Sequence, residues 1–143
     1  MKFLGIDYGE KKIGIAISDE RAKFAFPHGV INNTSANLVL NVIKIICDKN
    51  NIGKIVIGQS LDFKNQPNPI MKRVEKFKSF LEERLKIPIE YENEILTTKQ
   101  AEQATKKPRI GARMKSRKKE EKTHTSAAAL ILQSYLDKQK MIK

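Results

Sequence analysis

The apolar positions of the first eighteen residues fall into two short runs, KFLGIDY and KIGIAIS, separated by the polar GEK. Two such runs about a glycine-containing turn predict a β-hairpin, because Gly9 is free to take the positive φ that a tight turn demands. After the polar SDER, the segment KFAFPHGVI predicts a third strand. Pro27 cannot donate to a ladder, which places this strand near an edge or an end of the sheet. The period then changes. Beginning near Thr34 or Ser35, Leu38, Val39, Val42, Ile43 and Ile46 recur at helical spacing behind a capping hydroxyl. The β-branched run KIVIG, Lys54 to Gly58, predicts a strand covered on both faces. The loop SLDFKNQPNP leads to a second helix with Ile70, Val74, Phe77, Leu81 and Leu85 as its stripe, and Pro67 and Pro69 suit its start. IPIEYENEI alternates Ile87, Ile89 and Tyr91 against polar neighbours and predicts a further strand. In LTTKQAEQA, Thr97 with Gln100 resembles a capping box. The charged segment KKPRIGARMKSRKKEEK reads as a loop, and a last helix follows with Ala128, Ile131, Leu132, Tyr135 and Leu136 on one face.

That order, with no internal repeat and no linker, predicts an α/β fold in which helices cover a mixed sheet. The length of 143 residues suits a single domain over 1–143. Hydrophobic residues make up 40% of the chain and charged ones 31%, the balance of a globular protein. No apolar run approaches a membrane span and no secretory leader is evident, so a soluble, cytoplasmic protein without a membrane partner is expected. Cys47 stands alone on the buried side of the first helix, where it reads as core filler. His28 matches no motif and reads as structural or exposed.

Charge changes the picture. Twenty-eight Lys and Arg against sixteen Asp and Glu leave a formal +12, which points to a polyanion and first to nucleic acid. Much of that charge lies between Lys106 and Lys122. Lys106, Lys107, Arg109, Arg113, Lys115, Arg117, Lys118 and Lys119 could grip phosphates, and Lys11 and Lys12 could extend the track. A solvated charge run is the plainer alternative. With no Trp and three Tyr, recognition should rest on backbone charge and shape rather than on base stacking.

Asp7 poses the sharpest question, since an unpaired carboxylate at the end of an apolar strand costs several kcal/mol, roughly, when buried. Glu94 ends the last predicted strand, and strand ends of an α/β sheet converge on one ligand-binding edge. Two acids there suit a hard divalent cation, Mg²⁺ or Mn²⁺, although paired surface acids at strand ends are common.

GIDYGEKKIGIAIS, VIGQSLD, NEILTTKQAE and HTSAAALILQSYL, in this order from about Lys2 to Leu136, resemble the YqgF-type family. Its members have a ribonuclease-H-like fold related to RuvC-type Holliday-junction resolvases and are regarded as nucleases of precursor 16S rRNA. The resemblance implies a mixed sheet of that kind, a metal-dependent nuclease processing the 5′ end of precursor rRNA in ribosome biogenesis, and Asp7 and Glu94 as metal ligands. It also implies a third ligand at His124, where the family usually has aspartate. Asn93 and Ile95 depart from the family's usual Asp and Arg. A neutral imidazole favoured by the positive end of a helix would shift the preference towards Mn²⁺. Branched DNA is the alternative substrate on the same site. A non-catalytic RNA-binding assembly factor and an actin-like phosphotransferase are the alternatives of other classes, the last needing two such domains. The apolar stripes suit a monomer or a homodimer equally.

Overall fold

The computed structural model of the chain describes residues 1–59, 70–93 and 116–142, the stretch 116–126 as backbone. Five strands form one sheet in the order β3-β2-β1-β4-β5. They are β1 (Lys2–Asp7), β2 (Lys12–Ser18), β3 (Ala25–Asn32), β4 (Ile52–Gln59) and β5 (Ile89–Asn93). β1 and β2 are the expected hairpin, with Leu4 opposite Ile17 and Asp7 opposite Gly14. β2 and β3 are also antiparallel, whereas β4 lies parallel to β1 and β5 parallel to β4. This is the mixed ribonuclease-H-like sheet that the resemblance implies.

β3 is an edge strand, as Pro27 requires. Ile15 pairs with Gly29 and Ala16 with Pro27, so His28 is the extra residue of a bulge and is exposed. The turn before it is fixed by Asp19, whose Oδ1 accepts from the backbone N–H of Lys23 at 2.8 Å and of Phe24 at 3.1 Å.

Three helices pack on the sheet: α1 (Ala36–Asn50), α2 (Met71–Leu85) and α3 (Ser116–Ile142). Ser35 caps α1, its Oγ accepting from Leu38 N–H at 3.1 Å. α1 ends at Asn51 and α2 at Lys86, both left-handed with φ of 52° and 56°, and each donates its backbone N–H to a carbonyl of the last turn.

The core has two halves. Leu4, Ile6, Ile13, Ile15, Ile55 and Ile57 pack against Val39, Ile43 and Cys47 of α1 and Met71, Val74, Phe77 and Leu81 of α2. Phe3, Ala16 and Val56 point the other way, against Ala128, Ile131, Leu132, Tyr135 and Leu136 of α3. Ile55, Val56 and Ile57 are all fully buried, so β4 is covered on both faces as its composition predicts.

Two expectations are corrected. Leu38 and Val42 do not belong to the buried stripe of α1; they are 58% and 38% exposed, because the face that meets the sheet is set by Val39, Ile43 and Cys47 at intervals of four. The predicted basic loop is shorter than Lys106 to Lys122. α3 begins at Ser116, so Arg117, Lys118 and Lys119 are helical, in a run of long unbranched side chains that favour helix.

Candidate active site

β1, β4 and β5 run in parallel, so their carboxyl ends, Asp7, Gln59 and Asn93, come to one edge of the sheet. Ile6 is level with Ile57, and Gln59 with Asn93. Asp7 is partly rather than fully buried there. The pleat turns Leu4 and Ile6 towards α1 and α2, and hence Phe3, Gly5 and Asp7 towards α3.

The connection that leaves Asp7 is held from both sides. Asn33 donates its backbone N–H to Lys11 O at 2.8 Å and its Nδ2–H to Gly9 O at 2.9 Å. Tyr8 lies on Phe77 of α2, with ring centroids 4.9 Å apart. Lys11 is exposed and Lys12 partly buried on this edge. Glu10 meets Arg73 at 3.7 Å with both side chains well exposed, a contact worth little.

α3 crosses the opposite face of β1 in the reverse sense. Phe3 touches Tyr135, with centroids 5.9 Å apart, while a Cβ built on Gly5 would lie 2.8 Å from Leu132 Cβ and 3.0 Å from Ala128 O. Residue 124 is one helical turn, about 6 Å, before Ala128, and Asp7 is about 6.6 Å beyond Gly5. The backbone of His124 is therefore level with the end of β1. It does not start a helix, however. With α3 beginning at Ser116, residue 124 lies more than two turns inside, beyond the reach of the terminal dipole, so the expected bias towards neutral imidazole falls away.

Glu94, Lys106, Lys107, Arg109, Arg113 and Lys115 lie outside the described residues, as do Pro67, Pro69 and the capping box of Thr97 and Gln100. Among the described residues no group of three or more His, Cys, Asp and Glu comes together.

Sequence reasoning missed the polar seam behind this edge. The side chains of Glu90 and Glu92, read as plain polar neighbours of Tyr91, meet α3. Glu92 is 5% exposed and its Oε2 accepts from Ser134 Oγ and from Lys138 Nζ, each at 2.7 Å. Glu90 accepts from Tyr135 OH and, at 3.3 Å, from Lys54 Nζ. The Tyr135 hydrogen bond, with the Lys54 cation, holds the Glu90 carboxyl below its ordinary value, while Tyr135 and Glu90 hold the Lys54 ammonium above its own. Burial, reinforced by Glu90, raises the Tyr135 phenol. Ser134, Tyr135 and Lys138 on the last helix were the signal, since Ser134 and Lys138 are one turn apart.

The family model described as "RuvX: Holliday junction resolvase" matches residues 1–138. A protein of Caldanaerobacter subterraneus subsp. tengcongensis named "Putative pre-16S rRNA nuclease" is 36% identical over 140 residues, 98% of this chain and 99% of that protein. One of the same name from Syntrophomonas wolfei is 32% identical over 137 residues, 96% of this chain and 94% of its own. Among solved structures, Thermus thermophilus RuvC in complex with a Holliday junction substrate superposes with a TM-score of 0.61 at 13% identity, covering 98% of this chain and 96% of that one. Fowlpox virus resolvase with Holliday junction DNA gives 0.56 at 10% identity, covering 100% of both chains. At those identities the likeness is one of fold.

Proposed function

We propose that this chain, which belongs to the RuvX family, hydrolyses phosphodiester bonds of structured nucleic acid and in particular trims the 5′ end of precursor 16S rRNA. The observation that carries the reading is Asp7 on the edge where β1, β4 and β5 end, in a chain that aligns almost end to end with relatives of that name.

The donor chemistry fits a hard divalent cation. Asp7 offers carboxylate oxygen, and Glu94 follows directly on Asn93, the last residue of β5. Asp7, Glu94 and His124 would hold Mg²⁺ or Mn²⁺, the nitrogen of His124 tilting the site towards Mn²⁺ by donor type alone. When bound, such an ion lowers the pKa of water and offsets charge at the scissile phosphate. Lys11 and Lys12, beside Asp7, would hold the substrate backbone, with Lys106, Lys107, Arg109, Arg113, Lys115, Arg117, Lys118 and Lys119 extending the grip. Tyr8 and Asn33 keep the loop after Asp7 in place, so that the carboxylate stays fixed relative to that track.

Four-way DNA junctions are the second reading, favoured by the family description and by the likeness to RuvC. The test is cleavage of a precursor RNA with a 5′ leader and of a four-way junction, each with Mg²⁺, Mn²⁺ or chelator, by the native chain and by Asp7→Asn, Glu94→Gln and His124→Ala. The expected outcome is metal-dependent cutting of the RNA, reduced by about a hundredfold or more in Asp7→Asn and Glu94→Gln. Preference for the junction selects the second reading. Folded protein that binds RNA and cuts neither substrate would instead be an assembly factor.

A further inference from the structure

α1 has an outer flank that the fold leaves bare. Leu38, Val42 and Ile45 are 58%, 38% and 54% exposed, and their spacing of four and three puts them on one stripe beside the buried Val39–Ile43–Cys47 face. The same helix is poor in charge, with only Lys44, Asp48 and Lys49 in 15 residues. α2, of equal length, carries Lys72, Arg73, Glu75, Lys76, Lys78, Glu82, Glu83 and Arg84. A polyanion would need cations that this flank does not offer, whereas loss of charge around exposed aliphatic side chains marks a protein contact.

We propose that this flank is a self-association surface on which two copies of the chain pair through antiparallel α1 helices. A copy carrying +12 can approach another only where the charge is least, and α1 supplies that surface. The stripe is its own complement under a two-fold axis at Val42: Leu38 meets the partner's Ile45, and Val42 meets the partner's Val42. Parallel pairing would put Lys49 against the partner's Lys49. The antiparallel arrangement separates these ammonium groups by about 20 Å along the helix axis. Three half-exposed side chains with a polar rim give well under the ~800 Å² per partner of a standard interface, so the dimer is weak and forms as concentration rises.

The pairing does not depend on the nuclease reading, but it bears on it. α1 starts beside the Asp7 edge, since Asn33 bonds the loop after Asp7 and Ser35 caps the helix. Antiparallel pairing directs the two Asp7 edges away from each other, so each copy cuts alone rather than in a paired incision across one junction.

Sedimentation of the native chain from low to high micromolar concentration should show monomer passing into dimer. Val42→Glu and Ile45→Glu should weaken the association at least tenfold or so while leaving the circular dichroism unchanged. Cysteine cross-linking fixes the geometry, since native Cys47 is buried and silent. Val42→Cys should link to itself and Leu38→Cys should not, while Leu38→Cys mixed with Ile45→Cys should give the mixed disulfide. A native chain that stays monomeric throughout, a dimer that survives both Glu variants, or self-linking of Leu38→Cys would overturn the proposal.

Discussion

Gly5 is where a single hydrogen in place of a side chain lets two elements meet. A methyl there would press on Leu132 Cβ and on the backbone oxygen of Ala128, and backbone cannot swing aside. Gly5→Ala should cost roughly 1–3 kcal/mol by overpacking, read as a lower urea midpoint, and an unchanged midpoint would mean that α3 rides up freely. The glycine is visible in GIDYG, but its contact is not, because α3 lies near the other end of the chain. Cys47 was legible, since an apolar neighbourhood at helical spacing is enough to bury a thiol. Burial, with Asp48 beside it, pushes that thiol up to about 11. A disulfide reagent at pH 8 should therefore label the native chain far more slowly than the chain in denaturant. Equal rates would show that α1 opens readily.

At the scale of elements, the strands and helices follow from period and punctuation, and their ends from capping. Ser35→Ala should destabilise by about 1 kcal/mol, because Leu38 N–H loses its acceptor, and denaturant titration measures it. Orientation was harder to read. On α1 five apolar residues share a broad face, and the sequence does not say which edge of it meets the sheet, so Leu38 and Val42 were assigned to the core. On β5, Glu90 and Glu92 carry the polar signature of a solvent face, yet α3 lies on them and answers with Tyr135, Ser134 and Lys138. The Glu90 carboxyl titrates below its ordinary value near 4.5. Its stabilising effect is therefore full above that pH and is lost as the pH falls through the lowered value. The stability difference between the native chain and Glu90→Gln should shrink over that acid range, modestly since the group is half-exposed. A difference constant with pH would show that the bond to Tyr135 contributes nothing.

At the scale of the whole molecule, one sheet serves two cores. β4 gives Ile55 and Ile57 to one face and Val56 to the other, so neither layer of helices can leave without exposing strands that the other needs. Ile43→Ala and Leu132→Ala, each fully buried on opposite faces, should each cost roughly 2–5 kcal/mol and act additively in a single cooperative transition. Separate transitions by fluorescence and circular dichroism would contradict that coupling. The sequence by itself determined the alternation of elements, the edge position of the proline strand, the double coverage of β4 and the basic character, because these depend on local period, on a missing N–H and on summed charge. It also set Asp7 at the end of β1. Tertiary structure alone decided that the ends of three parallel strands share one edge, that α3 extends back to Ser116 and takes His124 into its interior, and that α1 keeps an apolar flank in solvent. Those outcomes depend on which distant surfaces pack together, and no window along the chain contains both partners.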